Sequence, residues 1–364
     1  MQFPLLNRLS LPRLRFLRSE DEYVALDIGS SSVKMVEAVK DKTGYHLVNV
    51  GIAPLPPTAV QNSMVVEKTA VATAIRNLVR EHRVKAAKVI SVVPGRAAII
   101  KRIELPVQKD EELDANVEFE AANVIPESLE NVNLDYQILN LLDEGSKMEI
   151  LVVAVKKEII NSYTQAIADA GLLPVIMDID YFALENMYEI CYESQREELV
   201  GLIHVGARYT SINLLKNGIS TFTGDLPIGG EALTESLMEQ LSIGYDQAET
   251  LKITGALDGD KQLDVENLLD PLAHSLVDDI GRTLTLYGTM AAGAPAQSVF
   301  LSGGGARFKP LVPLLGQKLN LPVNLCEPFR GFSVGRNIPQ ESLSESSLAL
   351  AVGAGLSVRR PGDK

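Results

Sequence analysis

Two stretches half a chain apart share one design. YVALDIGSSSVKMVEA, beginning at residue 23, is an apolar strand, a polar turn at Gly29 and a second strand. LVGLIHVGARYTSINLLKNGIS, beginning at residue 199, has the same layout with Gly206 where the first has Gly29. The offset, 206 − 29 = 177, is close to half of the 364 residues. A strand–glycine–strand unit presented twice predicts a duplicated α/β architecture, although the two copies share few identities.

The elements around the first copy support that reading. Residues 23–28, 33–40 and 45–53 carry the β-branched and aromatic residues of three strands joined by tight turns. After the APLPP break, residues 65–82 place Val66, Ala70, Ala74, Leu78 and Val79 near helical spacing, and KVISVVPG is an apolar strand closed by Pro-Gly. Residues 98–171 then interrupt the pattern. AIIKRIEL, LDYQILNLL and MEILVVAVKK read as strands, and DEELDANVEFEAANVI and KKEIINSYTQAIADAG as helices, which predicts a self-contained insert. The first pattern resumes with the strand PVIMDI and the helix YFALENMYEICYE. The expected division is a basic extension over 1–21, a first half over 22–97 and 172–198 with a C-terminal return over 335–358, the insert over 98–171, and a second half over 199–334.

Charge narrows the partners. The net charge of −13 argues against general affinity for nucleic acid. Residues 1–18 hold Arg8, Arg13, Arg15 and Arg18 and no acid, so the remainder carries −13 − 4 = −17. Pro4 and Pro12 keep this stretch from forming one long helix. It reads as an unstructured tail or as a short basic amphipathic element touching an anionic membrane or a partner. Two cysteines, Cys191 and Cys326, are too few for a disulfide framework. No run reaches the roughly 18 apolar residues of a membrane span, so the chain reads as cytoplasmic, held at the membrane through something else.

The turn at Gly29 has the parts of a phosphate-binding hairpin. Glycine lets backbone N–H groups approach an anion, Ser30, Ser31 and Ser32 add donors, and Lys34 adds charge. Asp27 at the strand end suits a hydrated Mg²⁺. A plain polar turn between strands has the same composition. The P-loop pattern is absent, and SGGGARF has Phe308 where a dinucleotide fingerprint needs glycine. Gly229-Gly230 opens a helix, where free N–H groups favour phosphate, though a simple helix cap reads the same way. Glu249 and Lys252 share one helix face, as a surface ion pair or as partners for ribose hydroxyls. Gly303, Gly304 and Gly305 follow an apolar strand, where bare backbone can lie flat on a nucleoside.

The order of these parts resembles the actin, Hsp70 and sugar-kinase superfamily, in which two RNase H-like halves enclose ATP. The insert is similar to the 1C subdomain of the FtsA/PilM branch. VIPESLENVNLDYQIL, DLPIGGEALTESL and FLSGGGARFKPLVPLL resemble the PilM family of actin-like type IV pilus assembly proteins, over roughly residues 22–358. The resemblance implies ATP or ADP with Mg²⁺ as ligands. Asp27 would hold the metal through water, and Gly29, Ser30–Ser32 and Lys34 would cradle phosphates. Gly206, Ala207, Arg208, Tyr209 and Thr210 would close over the γ-phosphate. Gly229, Gly230 and Glu231 would approach ribose or phosphate, Glu249 and Lys252 the ribose and adenine side, and Gly303–Gly305, Arg307 and Phe308 would wall the adenosine. Asp180 sits where hydrolysing relatives orient the attacking water. One departure stands out: His204 replaces the superfamily's usual Asp, and a neutral histidine cannot order the metal's waters. Arg208 is then the group to offset lost metal charge by bonding phosphate directly.

Function follows the resemblance: a nucleotide-loaded adaptor with slow or absent hydrolysis. It is expected to hold the cytoplasmic N-terminal tail of a PilN-like inner-membrane protein in a groove by the insert. The pilus motor ATPases and, through residues 1–18, the membrane surface are further expected contacts, in a machine for twitching motility. The acidic run Asp110, Glu111, Glu112, Asp114, Glu118 and Glu120 is either a face for such a tail or a solvated helix face. The competing readings are an FtsA-like polymerising division protein, disfavoured by SVRRPGDK at the end of the chain, and a sugar-kinase-type phosphotransferase, disfavoured by His204.

Overall fold

The computed structural model describes residues 22–192, 199–255, 265–292 and 296–360. The first half opens with β1 (Tyr23–Ile28), β2 (Ser32–Asp41) and β3 (Gly44–Pro54), followed by the short ribbon β4 (Val60–Gln61) and β5 (Met64–Val65), helix α1 (Lys68–Glu81) and β6 (Lys88–Val93). The insert follows as β7 (Ala98–Pro106), α2 (Asp110–Val124), β8 (Val132–Leu142) and β9 (Lys147–Lys156). Helix α3 (Lys157–Asp169), β10 (Leu173–Ile179) and α4 (Asp180–Cys191) complete the first half's crossover. The second half contains β11 (Leu199–Val205), β12 (Thr210–Lys216), β13 (Ile219–Leu226), α5 (Gly230–Leu241), α6 (Tyr245–Thr254), α7 (Val265–Ala292), β14 (Ser298–Ser302), α8 (Leu311–Leu319) and β15 (Val323–Leu325). The chain then returns through β16 (Ser333–Val334), α9 (Gln340–Ser346) and α10 (Ala351–Ser357).

The duplication is real at the level of topology. The first sheet runs β10-β6-β1-β2-β3-β16 and the second β13-β12-β11-β14-β15. In each half the first three strands form an antiparallel meander, and the fourth and fifth add in parallel on the other side of the first. The register makes the pseudo-equivalence concrete. Asp27 pairs Lys34 two residues before Gly29, and His204 pairs Ser211 two residues before Gly206. Both turns close with the same hydrogen bond, Gly29 N–H to Ser32 O at 3.0 Å and Gly206 N–H to Tyr209 O at 2.9 Å. β1 is the inner strand of its sheet, which is why it is apolar on both faces apart from Asp27.

Four apolar clusters hold these parts. One lies under the first sheet with α1 and α3, and one fills the second half. A third joins the halves through α4 and α10. All seven residues of α10 are buried, and a Cβ on Gly355 would fall 1.7 Å from Ala183 O of α4. The small-residue run LAVGAG is therefore a close helix–helix seam between the two sheets.

The fourth cluster belongs to the insert: α2 lays Leu113, Val117 and Ala121 on β7–β9. The opposite sheet face, Leu151, Val153 and Val155, packs into the first half's core. Helix α3, expected within the insert, instead sends Ile160, Tyr163 and Ile167 into that core against α1. Its apolar stripe needs the larger sheet, because the insert's inner face is already covered by α2. Glu112, Asp114 and Glu118 of α2 face solvent beside Phe119, which is 68% exposed. The side chains of Asp110 and Glu111 lie outside those described.

Candidate functional site

The two hairpin turns face one another across a cleft lined by Asp27, Gly29, Ser30, Ser31 and Lys34 on one side and Gly206, Ala207, Arg208 and Tyr209 on the other. Asp180, His204, Ser211 and Asp225 form its floor with Arg96. Asp27 is 7% exposed and lies 3.1 Å from Lys34 Nζ. These cross-strand neighbours present one acid and one base to the same space. A side chain at position 29 would lie 2.8 Å from that ammonium and displace the flexible lysine rather than the backbone.

The floor is a set of carboxyl groups in unequal surroundings. Asp180 is the first residue of α4, and its Oδ1 accepts the Gly95 N–H at 2.8 Å. Burial, and then the charge of Asp225, raise its pKa well above the ordinary carboxylate range. Asp225 accepts from Ser211 Oγ at 2.9 Å and from the Tyr181 hydroxyl. Burial raises its pKa too, opposed by those two bonds. His204 shares a 3.0 Å hydrogen bond between Nδ1 and Ser302 Oγ, and desolvation pulls its pKa down to about 4. It is neutral at physiological pH, so the second hairpin offers no charge where the first offers Asp27.

The second hairpin, the paired glycines and the triple glycine form one continuous surface. Gly230 N–H donates to Gly206 O at 2.9 Å and Glu231 N–H to Ala207 O at 2.8 Å. The N–H groups expected to be free for phosphate are therefore already engaged, because the start of α5 caps the hairpin turn. A Cβ at Gly229 would meet Ala207 O at 2.4 Å, which fixes glycine there. Gly303 has φ +90° and sits on the Val205 carbonyl, and Gly305 Cα lies 3.2 Å from a Cβ built at Gly230. Lys252 is buried, with Nζ bonded to Glu249 Oε2 at 2.6 Å, Thr234 Oγ1 at 2.8 Å and Gly230 O at 3.1 Å. Burial lowers its pKa, against the opposing pull of Glu249. Glu249 and Lys252 thus share a face as expected, but turned inward to hold the glycine pair.

Two further expected side chains point away from the cleft. Phe308 is 2% exposed and packs in the second half's core with Leu311 and Leu315, so only its backbone borders the glycine loop. Thr210 spends its hydroxyl on Ile228 O at 2.8 Å. Arg208 spans the mouth: Nε pairs with Glu231 Oε2 at 2.8 Å, while Nη1 and Nη2 donate to Val60 O at 3.1 Å and Pro57 O at 2.6 Å in the first half. Arg96 stacks on Tyr209 at 3.6 Å. Arg96, Ser211 and Asp225 escaped the sequence reading. Arg96 follows the carboxyl end of a parallel strand, where α/β sheets place ligands, which is a usable signal. Asp225 reaches the cleft only through its register with Ser211, and nothing local marks it.

Duplicated halves of this strand order, with facing glycine hairpins and a glycine platform, define an actin-like ATPase fold. The chain is similar to a solved PilM–PilN type IV pilus biogenesis complex, at 26% identity and a TM-score of 0.82 over 93% of this chain and 99% of that one. It also resembles the ethanolamine utilization protein EutJ of Carboxydothermus hydrogenoformans, at 14% identity and 0.59 over 93% and 90%. The chain belongs to the family of the type IV pilus assembly protein PilM, whose model matches residues 25–361. Among curated proteins it is 24% identical over 262 residues to the cell division protein FtsA of Streptococcus pneumoniae, covering 64% of this chain and 56% of that protein. The chain thus spans under two thirds of the length of that relative. Among the described residues no helix is long and apolar enough to cross a membrane.

Proposed function

We propose that the protein is a nucleotide-binding, actin-like adaptor of the type IV pilus platform, which holds the cytoplasmic tail of a PilN-like membrane protein. The observation that carries this reading is the likeness, across nearly all of both chains, to a PilM solved with PilN. Its place at the inner membrane would then come from the partner, with residues 1–18 and the pilus motor ATPases as additional contacts.

The cleft fits a Mg-nucleotide. Asp27, which lines the cleft, is an oxygen donor of the kind Mg²⁺ takes through its waters. Lys34 and the Gly29–Ser31 turn would receive phosphate oxygens, and the backbone of Gly303–Gly305 the nucleoside. Bound metal would supply charge neutralisation for the phosphates. This chain's residues do little to advance hydrolysis: burial disfavours the charged form of the Asp180 carboxyl, and desolvation disfavours a charged His204. Slow or absent turnover follows.

The test is chemical identification of the nucleotide retained after purification, for wild type and Asp27→Ala. Wild type should carry ATP or ADP, and the variant should be folded but largely empty. Equal emptiness in two folded proteins would remove the cleft assignment. The likeness to FtsA supports a second reading, polymerisation on membranes. Filaments growing with ATP on a lipid monolayer would favour it over the adaptor.

A further inference from the structure

Among the described residues, the lysine and arginine side chains lining the cleft are those of Lys34, Arg96 and Arg208. Lys34 and Arg208 are already engaged. Lys34 Nζ lies 3.1 Å from Asp27 Oδ2, and Arg208 bonds Glu231 through Nε and two backbone carbonyls through its terminal nitrogens. Arg96 makes neither a hydrogen bond nor an ion pair with the described residues. It stacks instead on Tyr209, with Cζ 3.6 Å from the ring centre. A stack uses the face of the guanidinium and leaves its five in-plane N–H donors available to an anion.

The turn after β6 sets the place of Arg96. Gly95–Ala97 forms one short 3₁₀ turn behind Pro94. Gly95 N–H donates to Asp180 Oδ1 at 2.8 Å, and a Cβ at Gly95 would fall 2.0 Å from Cε2 of the buried Tyr181 ring. Only glycine allows that approach, so the turn is pinned to the start of α4. Arg96, the next residue, is exposed at the cleft, and its charge reaches Tyr181 and Asp225. Asp225 is itself engaged by Ser211 Oγ and the Tyr181 hydroxyl. Burial disfavours the charged forms of Asp180 and Asp225, so the floor beside Arg96 repels an anion less than two free carboxylates would.

Sheet order separates Arg96 from the glycine platform. The second sheet runs β13-β12-β11-β14-β15. Gly303–Gly305 follows β14, whereas Arg96 meets Tyr209 just ahead of β12 and acts on Asp225 of β13. The platform and the guanidinium thus lie on opposite sides of β11, the strand that ends at the Gly206 turn.

We propose that Arg96 binds the terminal phosphate of a nucleoside triphosphate and gives the cleft a preference for the triphosphate over the diphosphate. The proposal rests on the nucleotide reading above. With the nucleoside on the platform, the phosphates run toward the hairpins, and the outermost one crosses β11 to the uncommitted guanidinium. Charge-assisted, planar donors suit that phosphate's oxygens.

The test measures the affinities of the full chain, stripped of retained nucleotide, for ADP and a non-hydrolysable ATP analogue with Mg²⁺ by titration calorimetry. The proteins are wild type, Arg96→Ala, Arg96→Lys and Tyr209→Ala, with thermal midpoints as the folding control. Arg96 is exposed and bonds no described residue, so its alanine variant should keep the wild-type midpoint. That variant should bind the triphosphate analogue about tenfold more weakly and ADP within twofold of wild type; tenfold is the lower end for a charged hydrogen bond, as suits an exposed group. Arg96→Lys keeps a point charge without the fork and should recover part of the loss. Tyr209→Ala removes the stack but leaves the guanidinium, so its ratio of the two affinities should stay within twofold of wild type. An unchanged ratio in folded Arg96→Ala would overturn the assignment and leave the nucleotide reading intact. An equal fall of the ratio in Tyr209→Ala would trace the effect to the stack and overturn it too. Wild type that binds neither nucleotide would defeat the nucleotide reading, and the assignment with it.

Discussion

Arg208 joins the two halves directly across the cleft mouth, and its removal is the sharpest test of how the cleft opens. Its bond to Glu231 lies within the second half, so of the three Arg208 bonds it is the donations to Pro57 O and Val60 O that resist separation. A hydrogen bond from a charged donor contributes about 1.5–3 kcal/mol when buried. The Arg208 side chain is 29% exposed, so the lower end applies, about 1–1.5 kcal/mol each. Arg208→Ala should therefore favour opening by about 2–3 kcal/mol, a factor of about 30–150. Stopped-flow displacement of a fluorescent ADP analogue reads this as faster release. Arg208→Lys keeps the charge beside Glu231 but cannot hold two carbonyls at once, so it should release nearly as fast as the alanine variant. If Arg208 instead bonds phosphate, lysine should restore wild-type release. Release within twofold of wild type for both variants, at unchanged thermal midpoint, would refute the strap.

The other predictions are structural. Gly303→Ala should be severely destabilising, by about 3 kcal/mol or more, because the residue sits at φ +90° with Val205 O 2.3 Å from the new Cβ; urea midpoints read it. Stability should fall as pH rises from 6.5 to 8. Asp135 and Glu185 hold extra protons in the folded state up to about 7 and 8, and an unfolded chain does not. Asp178 faces Asp135 and Glu185, Glu189 and Arg359 face Glu185, and the raised pKa of Asp178 acts in the same direction. His204 has the opposite sign, but its pKa is lowered to about 4, so its loss of stability falls between about 6.5 and 4, below this window. Urea denaturation at pH 6.5 and 8 measures the slope, and Asp135→Asn with Glu185→Gln should flatten it.

Much of the fold was legible because each strand and helix carries its own period. The strand at 23–28, the helix expected over 65–82 and found over Lys68–Glu81, and the duplication at an offset of 177 rest on residues close in sequence, whose burial follows from local periodicity. The glycines at 29 and 206 announced their turns for the same reason. What tertiary structure decided is where surplus groups go. Helix α3 has the same amphipathic stripe whichever neighbour receives it, and the choice of the first half over the insert depended on a face that α2 had already covered. Lys252 and Glu249 were bound to share a helix face, yet nothing local said that the face turns inward to the Gly230 carbonyl. Asp225 enters the cleft through strand register alone, and Phe308 leaves it because a buried ring gains more in the second half's core than at a polar mouth. Side-chain period belongs to the chain itself, whereas the partner of each buried charge belongs to the packed molecule, since it depends on which distant backbone or side chain the fold brings within about 3 Å.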